Sequence, residues 1–304
     1  MNRRIHHPEG LIEDLAQLRR IDERAQRARS AIEERRRILQ LLAGASLVPL
    51  FGCGSSSSDP PPSSASSSGY SSSGGSSSSS SSTSSTSSSS GTPATCNDIA
   101  GETPGPYPGD GTNGPNALGT SGIVRSDIRS SFGGLDGIAG GVPLTFKLQV
   151  VNTKGSCVPL VGYGVYAWHC DRDAGYSMYG TVANQNYLRG LQPTDTNGVA
   201  TFQSIFPAAY VGRWPHIHFE IFKDIATATS VGKLLAVSQL AFPEEVCNAV
   251  YATPGYEASV PAMEMTPLAQ DNVFSDGVTT QMATISGTVA DGLVASLVIG
   301  VAAA

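Results

Sequence analysis

The stretch GRWPHIHFEIF, residues 212–222, predicts a β-strand with two chemically different faces. Because side chains alternate across a strand, the apolar face carries Ile217, Phe219 and Ile221. His216 and His218 share the opposite face with Glu220. Side chains at i and i+2 lie roughly 6.5 to 7 Å apart along a strand face, a separation that two inward-leaning imidazoles can span to share a metal ion. The alternative is two histidines that cap a half-buried strand face or point to solvent.

The 304-residue chain is long enough for one large domain or two small ones, but a large part of it has nothing to bury. Residues 54–92 are almost entirely Ser, Gly, Thr and Pro. We therefore expect a disordered linker over residues 54–95, with a reach of about 35 Å as a flexible coil. The expected organisation is an N-terminal extension with a signal segment over residues 1–53, this linker, and one folded domain over residues 96–304.

An apolar run at residues 38–51, ILQLLAGASLVPLF, follows three consecutive arginines and is too short for a transmembrane helix. We interpret it as a signal peptide. RRRILQ at 35–40 resembles a twin-arginine export signal, and LFGC at 50–53 resembles a bacterial lipobox, in which Cys53 is acylated. The prediction is an extracytoplasmic lipoprotein held to the membrane through Cys53; the alternative is a buried helix of a cytosolic protein. Residues 1–37 carry apolar residues at helical spacing, and we assign them no function.

Basic residues are concentrated ahead of the linker. Ten of the 19 Lys and Arg residues are arginines within residues 1–37. From residue 54 onward, nine Lys or Arg stand against eighteen Asp or Glu. Because this region has no basic patch interleaved with aromatic residues, the sequence argues against a nucleic-acid partner.

Five cysteines are present, and four of them follow the predicted leader. In a chain that has left the cytoplasm, the expected use of these four is two disulfides. Three pairings can be drawn, and the sequence does not choose among them; the residues are Cys96, Cys157, Cys170 and Cys247. A zinc site is disfavoured, because the sequence has no C-x-x-C pair or comparable ligand spacing.

From residue 96 onward, short segments rich in β-branched and aromatic residues follow one another. Besides the His-x-His stretch, strands are predicted at 143–151, 162–169, 198–206, 233–242, 278–289 and 292–301. The last two flank Ala290 and Asp291 as the strands of a hairpin would. No long helical period is evident. We therefore predict an all-β domain, a mainly antiparallel β-sandwich whose loops carry the functional residues.

Four further stretches narrow the interpretation: ETPGPYP at 102–108, AWHCDRDAGYS at 167–177, QNYLRG at 185–190 and IFPAAYVGRWPHIHF at 205–219. Together they resemble the intradiol ring-cleavage dioxygenases, the family of catechol and protocatechuate dioxygenases. The resemblance spans roughly residues 96–250. It implies the β-sandwich of that family and a ferric ion, Fe(3+), held by two tyrosines and two histidines.

Carried over to this chain, the resemblance implies four metal ligands, namely Tyr187, Tyr210, His216 and His218. It implies that Arg213 faces the substrate and that Tyr107 lies near the substrate pocket. Gln239 would be the family's glutamine behind the ligands. These ligand types suit ferric iron, since phenolates are hard, strongly donating anions and neutral imidazoles complete the set without adding charge.

The resemblance also implies a reaction. A catechol-type substrate would displace Tyr210, O2 would open its ring to a muconate-type diacid, and Arg213 would stabilise negative charge on the substrate. The ion's part would be that of a Lewis acid and template. Family members are commonly dimers or larger, but the N-terminal association segments of the family are not evident in this sequence, so a homo-oligomer is one of the alternatives that stay open.

Each of these residues also has a structural interpretation. Tyr187 could be a turn tyrosine, Tyr210 a core aromatic and Arg213 a surface charge. Glu220 would be costly to bury unpaired, so we expect it to have a partner or to reach solvent. Structural, packing or pocket-lining roles are expected of His169, Tyr163, Tyr166, Tyr176 and Tyr179.

Two other functions are open at this point. One is a non-catalytic surface binding module on the same β-sandwich, because a fold alone does not confer activity. The other is a copper or zinc protein that uses His216 and His218 with further donors.

Overall fold

The computed structural model describes residues 96–230 and 233–303. The predicted extension and signal segment at 1–53, the acylated Cys53 and the linker at 54–95 lie outside the described residues. Within the described ranges, no helix is both long and apolar enough to cross a lipid bilayer.

Nine strands of the described residues form two sheets, and short helices follow the later strands. The strands are β1 (Pro143–Asn152), β2 (Val158–Pro159), β3 (Gly164–Trp168), β4 (Arg189–Pro193), β5 (Val199–Ile205), β6 (His216–Phe222), β7 (Leu234–Ala241), β8 (Thr284–Thr288) and β9 (Gly292–Val301). The α-helices are α1 (Ile225–Thr229), α2 (Glu244–Tyr251) and α3 (Ser259–Glu264), with 3-10 turns at Gly180–Val182 and Leu268–Gln270. The architecture is the predicted β-sandwich.

The first sheet runs in the order β2-β1-β9-β8, and β5 also pairs with β1. β8 and β9 form the predicted antiparallel hairpin, with Thr288 opposite Gly292. β1 and β9 are parallel, from Leu144 opposite Leu293 to Asn152 opposite Val301. This parallel pair joins segments far apart in the chain, so the sheet is mixed rather than purely antiparallel.

The second sheet runs in the order β4-β3-β6-β7, with every pair antiparallel. On β6 the predicted alternation holds. The apolar face packs into the core, where it meets first-sheet residues such as Phe146 and Leu148; it consists of Ile217, Phe219 and Ile221. Burying each of these side chains contributes roughly 1.5–3 kcal/mol, which fixes the strand's register and so the direction of its other face.

The other face of the second sheet is buried as well, because loops cover it. Each residue of β6 is buried, including His216 and His218 at 2% exposure. Loop residues such as Leu118 and Tyr176 pack with Tyr166 and Trp168 of β3 in a second apolar cluster. The histidines therefore lie in a closed layer between the sheet and its loops, and the half-buried or solvent-facing alternative does not apply.

The cysteines differ from the sequence-based prediction of two disulfides. One disulfide joins Cys96 to Cys157, with Cα atoms 5.8 Å apart. Cys170 and Cys247 are buried and not joined to each other. The reason is position: Cys170 lies in the layer between the second sheet and its loops, whereas Cys247 of α2 lies in the core between the sheets.

We expect the Cys96→Ser/Cys157→Ser double variant to lower the free energy of unfolding by about 2–4 kcal/mol, because the bond closes a long loop of the unfolded chain. The two cysteines are 61 positions apart. Urea unfolding measures the loss. Non-reducing peptide mapping should recover the Cys96–Cys157 link, and a linked Cys170–Cys247 peptide would contradict the observed pairing.

Candidate metal centre

Four donor atoms converge on one point beneath the loops of the second sheet. The Tyr176 hydroxyl lies 3.1 Å from the Tyr210 hydroxyl and 3.2 Å from Nε2 of both His216 and His218. The Tyr210 hydroxyl lies 3.3 Å from His216 Nε2, and the two Nε2 atoms are 3.0 Å apart. All four groups are buried or nearly so. Two tyrosines and two histidines therefore come together, as the sequence suggested, but one of the tyrosines is Tyr176 rather than Tyr187.

Local structure delivers each donor to this point. His216 and His218 project from the same face of β6, and Tyr210 precedes them in a turn closed by the Arg213 amide donating to the Tyr210 carbonyl at 3.0 Å. Tyr176 follows a tight loop after β3. In that loop Asp171 Oδ1 accepts hydrogen bonds from the amides of Asp173 at 3.0 Å and Gly175 at 2.7 Å.

The structure does not bring Tyr187 into the cluster, which corrects its assignment as a ligand. Its hydroxyl donates to Asp171 Oδ2 at 2.9 Å, so it braces the carboxylate that shapes the Tyr176 loop. Tyr176, which the sequence suggested as packing or pocket lining, occupies the fourth donor position. The signal for Tyr176 was the turn-forming run DRDAG directly before it, which forces the chain to reverse and aims the next side chain back at the sheet.

The two imidazoles are prepared as neutral nitrogen donors. His216 Nδ1 bonds to the Trp214 carbonyl, so this nitrogen carries the proton and Nε2 keeps its lone pair. Burial, and then the charge of Arg213, hold the pKa of His216 well below its usual range. Burial and the neighbouring His216 do the same to the pKa of His218. Neutral imidazole is the form that binds a metal ion.

His218 is fixed by its ring rather than by its second nitrogen. The ring stacks on Trp168 with centroids 4.9 Å apart and an interplanar angle of 3°. A Cβ added to Gly105 would approach His218 Cε1 at 3.3 Å, so the loop backbone closes over the ring. His218 Nδ1 is buried with no hydrogen-bond partner among the described residues.

The donor set fits one metal ion. Separations of 3.0–3.3 Å between neighbouring donors are those expected when each lies roughly 2.0–2.2 Å from a common centre. Burial raises the pKa of the Tyr176 and Tyr210 hydroxyls, and a highly charged cation would reverse that shift by stabilising the phenolates. Across residues 96–230 and 233–303, no group of three or more His, Cys, Asp or Glu side chains is placed to hold a metal ion.

Arg213 lies beside the cluster and is held in place from behind. Its Nη1 is 3.4 Å from His216 Nε2, and its Nη2 donates to Gln239 Oε1. Its Nε donates to Asp271 Oδ2 at 3.0 Å in a fully buried ion pair. The side chain is 3% exposed, so it is not a surface charge. No sequence pattern indicates Asp271, which lies 58 positions away from Arg213.

Gln239 and Tyr107 lie next to residues of the donor cluster. Gln239 is opposite His218 in the sheet register; besides accepting from Arg213, it donates to the Thr103 carbonyl at 3.0 Å. Tyr107 packs its ring against Tyr176 at 5.2 Å between centroids. Both residues therefore adjoin the donor cluster without joining it.

Glu220 is buried with a partner, as expected of a carboxyl on this face. Burial, the charge of Asp110 and their mutual hydrogen bond raise the pKa of Glu220 to about 8, so it carries a proton at neutral pH.

His169 has a structural role, since it bonds to the Cys170 carbonyl at 2.8 Å and to Ser204 Oγ at 2.7 Å.

A comparison with solved structures finds proteins of similar fold. An intradiol ring-cleavage dioxygenase from Tetranychus urticae is 24% identical with a TM-score of 0.54, over 68% of this chain and 95% of that chain. A crystal structure of a dioxygenase is 23% identical with a TM-score of 0.54, over 68% of this chain and 94% of that one. The chain has the intradiol ring-cleavage dioxygenase fold. At these identities the likeness establishes the fold alone, and any argument about activity depends on the donor cluster.

No family model matches the chain, and a search of curated proteins gives no match either. The fold expectation made from the sequence is nevertheless confirmed, because the two dioxygenase structures align over nearly their whole length.

We expect Asp271→Asn to lower the free energy of unfolding by about 3 kcal/mol or more, because it leaves the buried Arg213 charge uncompensated. The matched control is Asp127→Asn, which breaks the Asp127–Arg129 pair, whose two side chains are each 44% exposed. That change should cost less than about 1 kcal/mol. Chemical denaturation measures the free energy of unfolding of both variants. Equal losses of stability would show that the Asp271 charge is not needed.

Proposed function

We propose that this protein is a non-haem ferric intradiol dioxygenase, which cleaves catechol-type rings with O2 to muconate-type diacids. The observation that carries the proposal is the convergence of two buried phenols and two buried neutral imidazoles on one point. Hard oxygen donors combined with imidazoles favour ferric iron over softer ions. The shared fold supports the proposal.

In this proposal Tyr176, Tyr210, His216 and His218 hold the ion. Bound there, ferric iron would supply Lewis acidity and the positive charge that makes two buried phenolates tolerable. Tyr210 is the more accessible of the two tyrosines, whereas Tyr176 is 6% exposed. We therefore assign Tyr210 as the group that gives way to substrate and accepts a proton from a catechol hydroxyl.

Arg213 is assigned to the substrate side of the cluster. Its guanidinium keeps a fixed direction because Asp271 and Gln239 hold two of its nitrogens, and its third nitrogen points to the donor cluster. A charge fixed in this way can stabilise negative charge on the substrate without having to reorganise. Tyr107, packed against Tyr176 with an interplanar angle of 35°, would give the substrate an aromatic wall suited to a flat ring.

Visible absorption is expected to separate the two candidate tyrosine ligands, because phenolate bound to ferric iron gives an intense charge-transfer band. Iron-loaded wild-type protein should be coloured and should consume O2 with catechol. Tyr176→Phe should weaken and shift the band and abolish most turnover. Tyr187→Phe, the matched control, should keep a band of full strength.

Two results would count against the proposal. Colourless protein at full iron occupancy would exclude tyrosine ligation. A coloured protein that consumes no O2 with any of a panel of substituted catechols would favour the non-catalytic binding module instead. A band lost in Tyr187→Phe and kept in Tyr176→Phe would reinstate the ligand assignment made from the sequence.

We also propose that the protein is exported and anchored by acylation of Cys53, with O2 and small aromatic molecules reaching it outside the cytoplasm. The arginine-led apolar run and the LFGC stretch support this. The Cys96–Cys157 disulfide supports an oxidising compartment.

Cell fractionation tests the anchor. The wild-type chain should sediment with membranes, and Cys53→Ser should move the protein to the soluble fraction or leave it unprocessed. Cys170→Ser is the control substitution and should not change the distribution. Identical fractionation of wild type and Cys53→Ser would rule out the lipid anchor.

A further inference from the structure

We propose that Arg189 is the positioning residue of this centre: it ties the segment that carries Tyr107 to the loop that carries Tyr176, and so sets the spacing of pocket wall and metal ligand. The proposal rests on the proposed function for its catalytic consequence. Its geometric part stands on hydrogen bonds within the chain.

Every N–H group of the Arg189 guanidinium meets an oxygen. Nη1 donates to the Pro108 carbonyl at 2.6 Å and to the Tyr166 hydroxyl at 3.2 Å. Nη2 donates to the Tyr107 carbonyl at 3.0 Å and the Ser177 carbonyl at 2.8 Å. Nε donates to Ser177 Oγ at 3.0 Å. Arginine has five N–H donors, and all five are used.

The acceptors are unusual for a buried cation because all of them are neutral. Arg189 is 1% exposed, and among the described residues no carboxylate lies within 4.0 Å of it, in contrast to Arg213. A guanidinium keeps its charge in proteins, and burying one costs several kcal/mol unless it is well compensated. Charge-assisted bonds to carbonyl groups provide that compensation only while both segments stay in place.

The backbone at Gly109 passes close to the Arg189 side chain. Gly109 has φ +62°, and a Cβ there would lie 2.6 Å from Arg189 Nη1. The Tyr179 ring lies over the guanidinium, 5.5 Å from its central carbon to the ring centroid, and the Tyr179 hydroxyl accepts from the Gly109 amide at 2.9 Å. Arg189 is therefore enclosed by the segment that carries Tyr107 and Gly109 as well as by the sheet.

The two segments that Arg189 joins both border the centre. Ser177 directly follows Tyr176, whose hydroxyl must stay 3.2 Å from both Nε2 atoms. Tyr107 packs against the Tyr176 ring. On the sheet, Arg189 is opposite Trp168, which stacks on His218. A shift of the Arg189 side chain would therefore displace Tyr176, Tyr107 and Trp168, the residue that stacks on His218, at the same time.

Arg189→Lys in the full chain tests the proposal, since lysine keeps the charge but offers three donors that cannot span both segments. We expect hydrogen exchange to increase in peptides covering 105–113 and 175–179 while β1 peptides stay protected. In iron-loaded protein we expect a shifted phenolate band and a KM for catechol about tenfold higher or more, because misplacement of about 1 Å can cost that much. Arg129→Lys, in an exposed ion pair away from the centre, should change none of these.

A role limited to general stability predicts a different pattern. Thermal stability would fall while the band, the KM and the exchange of the two segments matched wild type, and that result would overturn the proposal. If Arg189→Lys does not fold, Ser177→Ala serves instead: it removes the Oγ that accepts from Arg189 Nε and that donates to the Tyr187 carbonyl at 2.6 Å. It should give the same changes at smaller size; no change in exchange at 175–179 would overturn the proposal.

The exchange measurement also separates this inference from the proposed function. It is made on metal-free protein, so it reports on Arg189 even if wild type neither binds iron nor turns over catechol. Local loosening without any catechol turnover in wild type would uphold the positioning role and reject the dioxygenase assignment. Unchanged exchange in Arg189→Lys, together with a coloured and active wild type, would reject the positioning role and uphold the dioxygenase assignment.

Discussion

The centre depends on a strand that must be buried on both faces. β6 is held in register by Ile217, Phe219 and Ile221, which pack in the core between the sheets. Once that face is fixed, pleating directs His216 and His218 to the opposite side, where loops exclude water. A buried polar group needs a partner, and the residues around β6 supply such a partner to two of its three polar side chains. The Trp214 carbonyl does so for His216 Nδ1, and Asp110 does so for Glu220.

The parts of the site that the sequence revealed are those close together in the chain. Tyr210, Arg213 and the two histidines lie within nine residues of one another, so one turn and one strand bring them together and a pattern can predict them. Tyr176 depends on loop geometry: Asp171 bonds the loop amides, and Ala174 and Met178 adopt positive φ of 63° and 70°. Strand patterns carry no information about such a loop, which explains why Tyr187 was preferred.

The same distinction applies to the fold. Local sequence predicted β1, β3, β5, β7 and the terminal hairpin, because each strand is a short run rich in β-branched and aromatic residues. The parallel pairing of β1 with β9 is set by packing across the whole domain, and α2 and α3 span 8 and 6 residues, too short for a helical period to stand out. Asp271 and Arg189 act through contacts distant in sequence, and a single sequence does not encode those contacts in any local pattern.

Two buried guanidinium groups bias the centre towards the protonation states that a metal ion requires. Burial is the larger influence on all four donors: it lowers the pKa of His216 and His218 and raises the pKa of Tyr176 and Tyr210. The charge of Arg213 lowers the pKa of both histidines further, and it partly offsets the rise in the pKa of both tyrosines. Arg189 adds to the effect on His218. A positive potential at the cluster thus keeps the imidazoles neutral and makes the phenols easier to ionise, which would lower the cost of forming the two phenolates of the proposed ferric centre. Asp271 limits that potential at Arg213, whereas Arg189 is compensated by neutral carbonyl and hydroxyl oxygens alone. The two arginines therefore differ in their surroundings in a way that suits the roles proposed for them: Arg213 as a directed charge beside the donors, and Arg189 as the tie between the two segments.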